Sequence, residues 1–224
     1  MSVSNLDSNT SHLHMERTKT GHLDHHKSVE KAEVILDGAM QEFLTHGYAG
    51  TSMDRVATAA GVSKATVYSH FQDKERLFTA LIQRLVREKC WTIFNPQDSQ
   101  SLQGEPKIIL RRLAEVMLDT ASTDQQLLTF NRLIVAESGR FPELAKSFIR
   151  NLDKPVLEAL SQYLASCHEL NLPDPEAVAR VFIGTLVHFM LTQEMLHGKE
   201  IVPMEGDRLI DSLIYLICVN GQRS

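Results

Sequence analysis

The stretch "GVSKATVYSHF", residues 61–71, decides how this chain folds. Gly61 has no Cβ and can take the positive φ that a tight turn requires. Ser63 is a good N-cap, and the short helix it opens runs to about Phe71. Val67 and Phe71 lie four positions apart on one helical face and pack inward beside small Ala65. Lys64, Thr66, Tyr68 and His70 are left facing largely outward. A solubilising face would carry Glu–Lys pairs; this one carries a cation, hydroxyls and a ring.

The segments on either side give that helix its context. Val34, Ile35, Ala39, Met40 and Phe43 recur at helical spacing, and His46-Gly47 supplies a glycine stop. Thr51 and Asp54 have capping-box spacing for a second short helix through Val56 and Ala60. Asp73 caps a longer helix carrying Leu77, Leu81, Ile82, Leu85 and Val86. Two short helices joined by "AAGVSK" and braced by a third form a helix-turn-helix, a unit that places one helix in the DNA major groove. Lys64 can donate to phosphate or to a guanine edge, and the Thr66 and Tyr68 hydroxyls can reach phosphates or bases. Lys74 and the amides at the next helix start can hold a further phosphate. For Thr51 and Ser63, capping and phosphate contact are both open readings.

Residues 31–86 resemble the DNA-binding domain of the TetR family of bacterial regulators. The matching elements run in order through "ILDGAMQEFLTHGYAGTSMDRVATAAGVSKATVYSHFQDKERLF", with Ala65 where many members have glycine. The resemblance implies that the 63–70 helix enters the major groove with Ser63, Lys64, Ala65, Thr66, Tyr68 and His70. It also implies that Thr51, Ser52 and Arg55 before it, and Lys74 after it, approach the backbone or flanking bases.

Composition agrees with a regulator of this kind. The 224 residues carry a net charge of −5, yet residues 28–90 hold eight Lys/Arg against eight Asp/Glu, and residues 91–224 hold twelve against seventeen. DNA contact must therefore come from a local patch and not from overall charge. Cys90, Cys167 and Cys218 are too few and too scattered for a disulfide framework or metal knuckle, which suits a reducing cytoplasm. No apolar run is long enough to span a membrane. No nucleophile elbow, P-loop, dinucleotide fingerprint or zinc-protease motif occurs, so an enzyme is not expected. Neither a cofactor nor a metal is expected.

The predicted architecture is all-α, with about nine helices. Residues 1–27 read as a disordered leader whose five histidines are too irregularly spaced to preorganise a metal site. Residues 28–90 form the DNA-binding domain and 91–224 a helical ligand-sensing and dimerisation domain. Helices are predicted over about 107–121, 124–139, 142–168, 175–197 and 207–219, with Pro155 kinking or interrupting the third. The last two segments are apolar around most of their circumference, as helices buried on more than one side are, and predict a homodimer reading a palindrome. The stretch "LIVAESGRFPELAKSF" resembles the C-terminal domain of AefR-like members of the family. By residue type, Trp91, Met117, Phe130, Phe148, Cys167, Phe182, His188, Phe189 and Met190 are candidates to line an effector pocket, and their scarcity of charge suits an apolar or amphipathic small molecule. A ligand-released repressor is the leading reading; an activator or global regulator with the same fold is the alternative.

Overall fold

The structure is a computed structural model that describes residues 10–90 and 103–218, with side chains from 27 to 89 and from 103 onward. Among those residues every regular element is helical. Backbone contacts divide the chain into two units, Met1–Leu77 and Phe78–Ser224.

The first unit contains α1 (Thr10–Gly50), α2 (Met53–Ala59), α3 (Lys64–His70) and the first turn of α4 (Lys74–Leu85). Helical backbone reaches back to Thr10, where the sequence reads a disordered leader. Residues 1–9 and the five leader histidines' side chains lie outside the described residues. Val34, expected inward, is exposed, and Leu36 is buried in the face that packs on α2. Gly47 breaks the helix at φ 70°, as its position as a stop predicts. The chain turns there so that Tyr48 stacks on Phe43 with ring centroids 5.7 Å apart. Gly38 has a role the periodicity does not reveal. A Cβ at that position would lie 2.8 Å from the Ala60 backbone nitrogen, so α1 and the end of α2 meet with no side chain between them.

The second unit holds the rest of α4, which runs into a π-turn at Val86–Cys90, followed by α5 (Pro106–Thr123), α6 (Gln125–Glu137), α7 (Pro142–Phe148), α8 (Lys154–Ser166), α9 (Pro175–Phe189) and α10 (Gly206–Cys218). Proline stands in the first turn of α5, α7 and α9, where its missing N–H has no helical partner to lose. Asp124 and Asp174 cap α6 and α9 through the amides of Leu127 and Ala177, at 2.9 and 3.0 Å. Counted as continuous rods, with α7 and α8 joined, the described helices agree with the expected nine. Within the segment 142–168 the α-helix is interrupted by a π-turn over Ile149–Asp153, just before Pro155.

α8 packs on α9, and α10 on α5. Their shared core includes Leu110, Leu113, Leu160, Leu164, Phe182, Leu186, Leu213 and Ile214. A separate aromatic contact, Phe78 stacked on Phe130 at 5.2 Å, joins α4 to α6. No helix among the described residues is long and apolar enough to cross a membrane. Replacing Gly38 with Ala should force α1 and α2 apart and destabilise the first unit by about 1–3 kcal/mol. Urea denaturation followed by circular dichroism measures the loss.

Candidate nucleic-acid interface

α2 and α3 are each opened by a serine. Ser52 accepts from the Arg55 amide at 3.3 Å, and Ser63 from the Thr66 amide at 3.1 Å. The expected Thr51–Asp54 capping box is therefore replaced by a Ser52 cap one residue later. Gly61 adopts φ 65° in the turn between the helices. Val67 is fully buried and anchors α3, whereas Phe71 is half-buried and ends the helix with its amide on the Val67 carbonyl. Outward from this anchor stand Lys64, Tyr68 and Ser69, together with Ala65, expected inward but exposed. Tyr68 is 48% exposed, a large aromatic surface for a solvated helix. The Ser63 and Thr66 hydroxyls lie 2.8 Å apart at the start of the same face.

Three residues expected at the DNA surface are engaged internally. Thr51 is only 3% exposed and donates its hydroxyl to the Gly47 carbonyl at 2.8 Å. Lys74 donates to the carbonyls of Tyr48 at 2.7 Å and Thr51 at 2.9 Å, and its ammonium lies 4.4 Å from the centre of the Tyr48 ring. It is therefore a brace for the turn after α1. His70 is turned back, with Nδ1 2.9 Å from the Thr66 carbonyl and Nε2 3.3 Å from the Ser28 carbonyl. The Gly47 and Thr66 carbonyls lie four residues back along the chain, whereas the acceptors of Lys74 and the Ser28 carbonyl lie 23 to 42 residues away, where no local periodicity signals them.

The two remaining cations each meet a carboxylate that motif reading overlooked. Arg55 donates from Nε to Glu42 at 2.8 Å, and a second guanidinium N–H meets His46 Nε2. Lys64 pairs with Asp54 across the α2–α3 turn. Arg55 and Glu42 are thirteen positions apart and Lys64 and Asp54 ten, on different helices, so only the fold joins them. Beneath this surface the Tyr48 phenol is pushed up to about 12, first by burial and then by Glu75 and Asp73.

The effector candidates do not converge on one place. Phe182 lies in the core shared by α5, α8, α9 and α10, with Met117 and Phe189 packed against it. Phe130 is buried elsewhere, against Phe78. Phe148 and Met190 are half-buried, His188 is exposed, and Trp91 lies outside the described residues. Cys167 is buried and donates its thiol to the Tyr163 carbonyl at 3.3 Å; burial raises its pKa, so its thiolate is disfavoured. Among the described residues no three His, Cys, Asp or Glu side chains gather as metal ligands do.

Two family models match the sequence: bacterial regulatory proteins of the tetR family over residues 35–81, and the AefR-like transcriptional repressor C-terminal domain over residues 109–219. The HTH-type transcriptional regulator YhgD of Bacillus subtilis is 39% identical over 61 residues, 27% of this chain and 32% of its own. The chain thus spans about a third of YhgD's length. The HTH-type transcriptional regulator AcrR of Shigella flexneri is 26% identical over 153 residues, 67% of this chain and 70% of its own. Among solved structures, the flavonoid-responsive regulator FrrA is similar with a TM-score of 0.71 at 28% identity, covering 87% of this chain and 99% of FrrA.

The brace assignment for Lys74 is open to measurement. Lys74→Met strands two carbonyls and should lower the stability of the first unit by about 1–3 kcal/mol; a phosphate contact alone would leave stability unchanged. Tyr48 adds a pH dependence. Its folded pKa lies above the unfolded value of 10, so its contribution is intact below pH 10 and falls as pH rises from 10 through about 12. Urea midpoints across that range should fall less for Tyr48→Phe.

Proposed function

Because the chain belongs to the TetR family of bacterial transcriptional regulators, we propose that it is a cytoplasmic homodimeric repressor that leaves a palindromic operator when a small molecule binds. The observation that carries this reading is α3 itself. Ser63 caps it, Val67 pins it to the core, and Lys64, Ala65, Tyr68 and Ser69 are held outward on a helix short enough to lie in a major groove. Ser52 and Arg55 on α2 flank it. Thr51, His70 and Lys74 set its position from beneath.

Residues 28–90 serve DNA binding and residues 91–224 serve dimerisation and effector sensing. Support for dimerisation comes from α9 and α10, which bury one face in the core yet expose Val181, Val187, Tyr215 and Leu216 on another. A second copy would cover that apolar surface about a two-fold axis and set two α3 helices on half-sites about 34 Å apart. The effector is a small apolar or amphipathic molecule. Phe182, Met117 and Phe189 are the predicted lining residues that share a core, and FrrA's flavonoid response is a precedent of the same chemical kind. Binding would act by favouring a dimer conformation whose half-site spacing no longer fits, to the extent of its differential affinity for the two states.

The test starts from a duplex recovered by the wild-type protein from a randomised pool. Replacing Lys64 and Tyr68 with Ala should cost about 1–3 kcal/mol per contact. The dimer, measured by analytical ultracentrifugation, should persist. Recovery of no preferred sequence refutes the DNA-binding reading, and unchanged affinity of the double variant refutes the assignment of these residues. A promoter–reporter fusion showing higher expression without the protein supports repression over activation.

A further inference from the structure

The surface around α3 carries its own anions. Of the three cations expected there, Lys74 is bonded to backbone carbonyls, Arg55 to Glu42 and Lys64 to Asp54. The two carboxylate pairs differ in setting. Glu42 is 14% exposed and holds Arg55 from below, so that pair is fixed by the fold. Asp54 is 52% exposed and Lys64 65%, at the edge of the helix that would enter the groove. Water and salt reach the Lys64–Asp54 pair, and a DNA phosphate can compete for it.

We propose that Asp54 is a specificity-determining residue that acts through Lys64. The proposal rests on the DNA-binding reading above. Lysine is a point charge on a flexible four-carbon stem and follows any phosphate equally well. With one N–H directed to Asp54, the ammonium is drawn to one side and keeps two further donors. Those donors can meet a base-edge acceptor such as guanine O6 or N7 while the carboxylate pair stays intact. On a duplex without that acceptor, a phosphate competes with Asp54 for Lys64, and the nearby carboxylate opposes the polyanion. Asp54 therefore weakens non-specific binding, which depends on charge alone, more than operator binding.

The setting of Asp54 makes it suitable for substitution. Its carboxylate is not the cap of α2, a role taken by Ser52, and its backbone carbonyl keeps its bond to the Thr58 hydroxyl whatever the side chain. Asp54→Asn preserves the shape and removes the charge.

Binding of the selected duplex and of a scrambled duplex of equal composition would be followed by fluorescence anisotropy over a range of salt. For Asp54→Asn we expect affinity for the scrambled duplex to rise at least fivefold and its salt slope to steepen by about 1. Affinity for the selected duplex should change less, so the ratio between them falls. In a Lys64→Gln background the same substitution should leave the ratio unchanged. Equal shifts on both duplexes, no shift on either, or a full effect of Asp54→Asn without Lys64 each overturn the proposal. A merely structural role for Asp54 would lower the melting temperature and weaken both duplexes together, which also overturns it. If the wild type selects no sequence, the DNA-binding reading itself fails; if it selects one and the ratio is unmoved by Asp54→Asn, only this inference fails.

Discussion

The geometry of the first unit depends on one ammonium group. Lys74 begins α4, yet its nitrogen reaches the carbonyls on both sides of the turn after α1 and lies against the Tyr48 ring. Those carbonyls follow the Gly47 break, where the helix can no longer supply donors. A charged donor shared between two orphan acceptors closes the turn more firmly than neutral bonds would. It also fixes where α2 begins, because Thr51 supplies one of the carbonyls and Ser52 is the cap. Through α2 and its contact with α3, the brace reaches the helix that carries Tyr68 and Lys64.

Around that brace the unit is built for close approach. Gly38 lets α2 end directly against α1, and Gly61 turns the chain without a side chain to accommodate. Val67 then needs only one buried position to hold a helix of seven residues. Such a helix cannot be stable by itself. Its outward side chains are consequently as well placed as the core beneath them, which separates the residues that set position from those left to make contact.

The same separation explains what was legible in the sequence. Helix limits in the second unit follow from prolines and glycines, and Asp73 and Ser63 cap where their residue type says they should. The glycine turns and the face built on Val67 are equally local signals. Thr51, His70 and Lys74 differ because their polar atoms have two possible sets of partners, DNA or the protein's own backbone. Thr51 turns to a carbonyl only four residues back, but for His70 and Lys74 choosing between these requires knowing that Ser28 and Tyr48 come close, and such proximity is a product of tertiary folding. The pairing of Arg55 with Glu42 and of Lys64 with Asp54 is hidden for the same reason. Effector candidates chosen by type alone scattered because aromatic residues serve any core, as Phe130 does against Phe78 and Phe182 does among α5, α8 and α9.

The π-turn at Ile149–Asp153 bears on how a single rod can serve two neighbours. A wide turn inserts about one residue into the helical repeat and rotates everything after it by about 100°. Leu144 and Ser147 of α7 are buried, with the Ser147 hydroxyl 2.9 Å from that of Thr79 on α4, whereas Leu160, Tyr163 and Leu164 are the buried positions of α8, which packs on α9. Continued at 3.6 residues per turn from Leu144, the inward stripe would fall about one to two residues short of those positions. The turn thus works as a change of phase, letting two half-helices with separate partners share one axis. Length in this segment is consequently constrained more tightly than composition, since gain or loss of one residue would turn the whole of α8 away from its partner.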